Sequence, residues 1–318
     1  VIPTRRGQDY TTHWMTAISK QGKCNRYSNS WTSEMIDIKI NPDAAWRGQD
    51  EVDAYLRAID YRKNNYTLNL NADVKDIAQE LNDNGHVTIK NFFDKDLLLP
   101  IKEEFEQKKS RGELQYNDNY TEQLAHPLVS TIAVADIAFD DRLVDIASMF
   151  FGCVPTLNNA QLRKSKATVL AEDILQGNGK TTLFHCDKDG PRFIKMFLYL
   201  DDVDEDNGPF TYVHKSHLEK FDGWRSSYRR SHEEIENIYG KDRIKYLTGN
   251  VGDLIIANTN GFHKGKKVIK NERLLLTIYY NVHTTEWLPN HCSGRIKKDF
   301  FEQLPEHKKP VADYLEKI

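Results

Sequence analysis

Two kinds of periodicity divide the chain. Between about residues 73 and 110 the apolar positions recur at helical spacing. Val74, Ile77, Ala78 and Leu81 share one face of a helix that Asp73 is placed to cap and Gly85 to end. Asp94 caps a second helix with Leu97, Leu98, Ile101 and Phe105 turned inward, and Pro100 predicts a kink in it or a later start. Between the two, Gly85 to Lys90 reads as a short strand. From about residue 155 to 285 the pattern changes to short apolar runs punctuated by Gly, Asn and Asp, which is the mark of successive strands. Phe193 to Leu200 and Leu274 to Tyr280 are the clearest of them. Lys297 to Ile318 reads as helical, broken near Pro305 and Pro310, and residues 1 to 70 are polar with little periodicity. The expected class is mainly β with flanking helices.

At 318 residues and 39% hydrophobic content, the chain can bury the core of one large domain. Its 44 basic and 47 acidic side chains leave a net charge of −3, which gives no electrostatic case for nucleic-acid binding. No apolar run approaches the roughly 20 residues that a membrane helix requires. Val1 to Arg6 lacks a methionine and the apolar centre of a signal peptide. The cysteines, at 24, 153, 186 and 292, have no paired spacing, so reduced thiols in a cytoplasmic protein are expected.

The chemistry concentrates in His185, Asp187 and His263. His185 and Asp187 lie two apart, and side chains at i and i+2 of a strand leave the same face, so both can reach one metal ion. His263 follows a turn and an apolar strand, Gly252 to Ala257, and stands between glycines. Two imidazoles and one carboxylate fill one face of Fe(II) and leave the other open. Arg273, ten residues after His263, opens the next apolar run, and its planar guanidinium suits a carboxylate held beside the metal.

These residues carry a resemblance. The His185-Cys186-Asp187 motif, the strand Phe193 to Leu200, the segment Asp201 to Phe210, Ser216-His217, and Gly261-Phe262-His263 with Arg273 resemble the phytanoyl-CoA dioxygenase family of Fe(II)/2-oxoglutarate oxygenases, over about residues 75 to 285. Where that family commonly has Pro-Gly-Ser-His, this chain has His214-Lys215-Ser216-His217. The resemblance implies a double-stranded β-helix, a cupin-like jelly roll, over residues 71–290. Residues 1–70 would form an extension packed on it, and residues 291–318 a C-terminal helical segment. It also implies Fe(II) on His185, Asp187 and His263, with 2-oxoglutarate and O2 as cosubstrates. Arg273 would hold the far carboxylate of 2-oxoglutarate. Gln161 and Phe197 match family contacts, and Lys195 and Tyr199 share the face of Phe197 by alternation. The substrate is expected to be a small polar metabolite or a sugar.

Other readings compete. The same architecture serves non-catalytic ligand- or sugar-binding modules, against which the complete triad and Arg273 argue. A zinc hydrolase could use His, Asp and His but has no need of a carboxylate-binding arginine. The acidic run Asp201 to Asp206 places its glycine one position late for a calcium loop and has Val213 where Glu is required, so it reads as a solvated turn. His214 and His217 read as structural, as do His13, His86, His126, His232, His291 and His307. His283 is the one of the remaining histidines nearest the core motif.

Overall fold

The computed structural model describes residues 36, 38–40, 45, 48–68, 70, 72–118, 120–171, 182–227, 229–282 and 294–318. His13, His283, His291, Cys24 and Cys292 lie outside the described residues, while Cys153 and Cys186 are buried free thiols. No helix among the described residues is long and apolar enough to cross a membrane.

Helices dominate the described residues before 152, interleaved with three short strands: α1 (Gln49–Asn65), α2 (Lys75–Asn84), α3 (Lys95–Ser110), α4 (Pro127–Ser130), α5 (Ile132–Ala138) and α6 (Asp141–Phe151). Helix α1 falls where little periodicity is apparent. It buries Val52, Tyr55, Ala58, Ile59 and Arg62, a face spaced by three and four. The Arg62 guanidinium donates to the carbonyls of Pro155 and Pro310, at 3.2 and 2.7 Å, and so ties this helix to the C-terminal segment. Helix α2 starts one residue later than expected, with Val74 at the cap and the Asp73 carboxylate accepting only a 3.4 Å bond from the Lys75 amide. It ends at Gly85, whose φ of 82° and lack of room beside Tyr212 and His217 admit no side chain.

Helix α3 is capped by Asp94, as expected, and runs on through Pro100. Its buried face is Leu98, Ile101 and Phe105, whereas Leu97 is 60% exposed, because the stripe at spacings of three and four leaves no room for both leucines.

Among the described residues, ten strands build two antiparallel sheets. The large one has the order β1 (His86–Ile89), β8 (Leu254–Ala257), β5 (Ile194–Tyr199), β10 (Glu272–Asn281), β4 (Thr156–Lys166), β3 (Thr121–Leu124) and β2 (Gln115–Asp118). The small one has the order β7 (Ile244–Leu247), β6 (Phe210–Val213) and β9 (His263–Gly265). Alternation sorts the large sheet into two faces. Leu162 of β4, Met196 and Leu198 of β5, Leu254 and Ile256 of β8, and Leu274, Leu276 and Ile278 of β10 pack into one apolar cluster with Leu81, Leu98, Phe105, Ile146 and Phe150 of the helices. Each such side chain contributes roughly 1.5–3 kcal/mol by leaving water.

The opposite face carries the intervening residues, in rows fixed by register. Gln161 pairs with Thr277, Thr277 with Phe197, and Phe197 with Ile255. Against this face lies the small sheet. Phe197 stacks on Phe210 with centroids 4.2 Å apart, and the Tyr199 hydroxyl donates to the Leu247 carbonyl at 2.7 Å. Two sheets face one another with helices on the outer side, which is the jelly-roll architecture expected.

The C-terminal segment departs from the helical reading. Lys298–Gln303 is helical and Lys309–Ala312 is a single 3-10 turn, but Arg295–Ile296 and Glu316–Lys317 pair as a short parallel ladder. Pro305 and Pro310 each lack an amide donor and cannot continue the helix.

Candidate metal centre and carboxylate site

His185 and Asp187 are not on a regular strand, contrary to the i, i+2 strand reading. Phe184 and His185 make isolated bridges to Arg230 and His263, and Asp187 is held by its amide, which donates to the Thr259 carbonyl at 2.9 Å. The alternation survives all the same. Phe184 and Cys186 enter an apolar cluster with Val213 and Trp224, which turns His185 and Asp187 the other way, towards the cleft. His263 opens β9 rather than closing the preceding strand, and exchanges both backbone hydrogen bonds with His185, at 3.0 and 2.9 Å. That exchange brings residues 78 positions apart face to face, with ring centroids at 4.3 Å.

The three side chains converge. His185 Nε2 stands 3.7 Å from Asp187 Oδ1, His263 Nε2 stands 3.5 Å from Asp187 Oδ2, and one ligand atom from each of the three lies within 4.8 Å of the others. These separations are long for hydrogen bonds and suit three ligands around a common point. Both imidazoles are oriented from behind. Nδ1 of His185 lies 3.0 Å from the Leu183 carbonyl and Nδ1 of His263 lies 2.9 Å from the Gly261 carbonyl. With Nδ1–H donating, the lone pair of each ring is on Nε2, the atom that faces the cleft. Burial pushes His185 down to about 3, with His263 adding to the effect, and burial lowers His263 as well, so both rings are neutral near pH 7. Burial alone would raise Asp187, but the Lys195 ammonium and the two imidazoles outweigh it and hold the carboxyl well below its ordinary range. Lys195 donates to Asp187 Oδ2 at 2.7 Å and reaches Asp189 Oδ2 at 3.4 Å.

A cleft of about 180 Å³ runs from this cluster along the large sheet. His185, Asp187, His263, Gln161, Lys195, Phe197 and Arg273 all line it. Tyr199 does not. It is fully buried under the small sheet, its hydroxyl accepts from the Phe210 amide at 3.1 Å as well as donating to Leu247, and burial pushes its phenol up to about 12. Arg273 is 8% exposed, and its Nε and Nη1 are buried without a hydrogen-bond partner. Its neighbour Glu272 lies instead 3.4 Å from Lys164. A buried guanidinium with open donors fits a carboxylate ligand, and the convergent Nε2 and carboxylate atoms fit a divalent cation, so the residues present suit both halves of an Fe(II)/2-oxoglutarate pair.

Sequence reasoning missed Arg163, Thr277 and Phe210, which also line the cleft. Thr277 was recoverable from alternation with Arg273 on β10; Phe210 and Arg163 depend on sheet packing and strand pairing.

The chain matches the family description Phytanoyl-CoA dioxygenase (PhyH) over residues 81–269. Comparison with curated proteins gives no match. Among solved structures, the chain resembles the epimerase SnoN, crystallised with Fe3+, alpha ketoglutarate and nogalamycin RO, with 14% identity and a TM-score of 0.51 over 65% of this chain and 82% of that one. It also resembles HygX from Streptomyces hygroscopicus, crystallised with nickel and 2-oxoglutarate, with 17% identity and a TM-score of 0.51 over 68% and 91% of the two chains. At these identities the likeness establishes the shared fold. The family match spans more than half of the sequence and encloses His185, Asp187 and His263, so the chain belongs to the phytanoyl-CoA dioxygenase (PhyH) family, within the Fe/2-oxoglutarate-dependent oxygenase superfamily.

Proposed function

We propose that this protein is a non-haem Fe(II)/2-oxoglutarate-dependent dioxygenase that hydroxylates a small polar or sugar-type metabolite. One observation carries the reading. The same cleft holds two imidazole Nε2 atoms and a carboxylate around one point and, further along, a buried arginine with open donors. His185, Asp187 and His263 would hold Fe(II), and Arg273 the far carboxylate of 2-oxoglutarate, with Gln161, Lys195 and Phe197 along the same cleft. When bound, iron and 2-oxoglutarate supply the oxidising chemistry, in which O2 is consumed, succinate and CO2 are released and a substrate C–H bond is oxidised.

The chain's own residues orient and protect. The carbonyls of Leu183 and Gly261 fix both imidazoles in one tautomer and one rotation. Lys195 keeps Asp187 ionised, and its second partner, Asp189, can retain the ammonium when a cation takes Asp187. Phe210, stacked on Phe197 and 5.6 Å from the His263 ring, excludes water from that side. Tyr199 would act only by fastening β5 to the small sheet.

Incubation with Fe(II), 2-oxoglutarate and O2 over pooled polar metabolites tests this. Succinate should form together with a product that has gained one oxygen atom, and neither should form with His185→Ala. Succinate with an isomerised or cyclised product would retain the oxygenase and remove the hydroxylase. Absence of succinate with every pool would remove both.

A further inference from the structure

The loop between β6 and β7 carries Lys220, which does not line the cleft but stands behind the candidate metal centre. Phe184 and Cys186 turn away from the cleft into an apolar cluster with Val213, Trp224 and Phe262. The partly buried Lys220 side chain reaches into this cluster from the loop. Its Nζ donates to Cys186 Sγ at 3.2 Å and to the Asn260 carbonyl at 2.6 Å. The Trp224 and Phe262 rings lie beside it, with centroids at 4.7 and 4.9 Å.

A hydrocarbon side chain would fill such a place at less cost, since an amino group taken from water loses free energy unless its donors are matched. Among the described residues, the polar partners that match it are a thiol and a carbonyl rather than a carboxylate. Both belong to segments that carry the metal ligands. Cys186 separates His185 from Asp187, and Asn260 follows Thr259, whose carbonyl accepts from the Asp187 amide at 2.9 Å. The two segments are thus joined by the backbone exchange of His185 with His263, by the Asp187 amide, and by Lys220. The first two are backbone attachments, and a turn fastened at two points can still pivot about the line between them. Lys220 attaches through the Cys186 side chain, off that line and away from the cleft, and so removes the pivot. Its loop is itself held on both sides: Ser216 Oγ accepts from the Phe262 amide at 2.7 Å, and His217 Nε2 lies 3.0 Å from the Asn82 carbonyl.

We infer that Lys220 is a positioning residue for the metal centre, whose amino group clamps Cys186 to Asn260 and thereby sets the spacing of His185, Asp187 and His263. This rests on the metal reading above. Ligands must be held to within about 0.5 Å of the productive geometry, and groups that orient them from behind change metal affinity by about 10–100-fold.

Calorimetric titration of metal-free protein with Mn(II), without O2, tests the inference in wild type, Lys220→Met, Cys186→Ala and the double variant. Lys220→Met should weaken Mn(II) at least about tenfold. Cys186→Ala should weaken it less, because Lys220 keeps the Asn260 carbonyl. The double variant should match Lys220→Met within about twofold, because both substitutions break the same clamp. Hydrogen exchange of the metal-free Lys220→Met protein should quicken in peptides spanning 184–187 and 258–263 and stay unchanged in β10. A residue that only supported the fold would quicken exchange throughout and leave Mn(II) affinity alone. Unchanged Mn(II) affinity in Lys220→Met, additive losses in the double variant, or exchange quickened equally in β10 would each overturn the inference. Should Lys220→Met fail to fold, Cys186→Ala decides by itself, and unchanged Mn(II) affinity there overturns it. Failure of the wild type to bind Mn(II) would contradict the metal reading instead, and the exchange comparison would still decide whether Lys220 joins the two segments.

Discussion

Lys195 Nζ lies 2.7 Å from Asp187 Oδ2, the same oxygen that stands 3.5 Å from His263 Nε2. One carboxylate oxygen therefore serves the candidate metal centre and a partly buried ammonium from β5. The ammonium and a divalent cation are alternative partners for it, and Asp189 gives Lys195 somewhere to remain.

Lys195→Met removes the nearest cation from a largely buried carboxylate. Chelator-treated protein should lose about 1–3 kcal/mol of stability in urea denaturation, because a buried polar group is left unmatched. Saturating Mn(II) should recover most of the loss. An equal loss with and without metal would mean that Lys195 acts through packing alone.

Arg273→Met exchanges a buried, unpartnered guanidinium for an apolar side chain of similar length. Its thermal midpoint without ligand should rise, by about 1 kcal/mol in stability, while 2-oxoglutarate binding falls at least about tenfold. Arg273→Lys should recover only part of the affinity, since it lacks the planar fork. Unchanged 2-oxoglutarate affinity in Arg273→Met would take the arginine out of the site.

Acid should weaken the fold through histidines outside the metal centre. Burial drives His217 down to about 3 and His86 down to about 4, from an ordinary 6.5. Between pH 6.5 and 4 the unfolded chain takes up protons that these folded side chains refuse. Stability is thus full above 6.5 and falls as the pH drops towards 4. Denaturation midpoints across that window should show the slope, and His217→Gln should flatten it. A slope unaltered by that substitution would place the linkage elsewhere.

The large sheet was legible because β10 alternates strictly. Leu274, Leu276 and Ile278 go to the core, and Arg273, Leu275 and Thr277 to the other face. The metal ligands were legible for the same reason, although two isolated bridges replace the expected strand. Helix α1 was missed because Arg62, a charged residue, closes its buried face and hides the stripe that Val52, Tyr55 and Ile59 begin. For Tyr199 the expected face is the one observed, but the sheet that overlies it is a long-range packing event with no local signal. Arg163 was missed because β4 is largely polar and is recognisable as a strand chiefly through its pairing with β10.

Anaerobic calorimetric titration of Fe(II), followed by 2-oxoglutarate, tests the central claim most directly. The account predicts one Fe(II) per chain, lost in His185→Ala and His263→Ala, and 2-oxoglutarate binding that requires the metal. Iron bound equally well by both alanine variants, or 2-oxoglutarate bound equally well without metal, would contradict it.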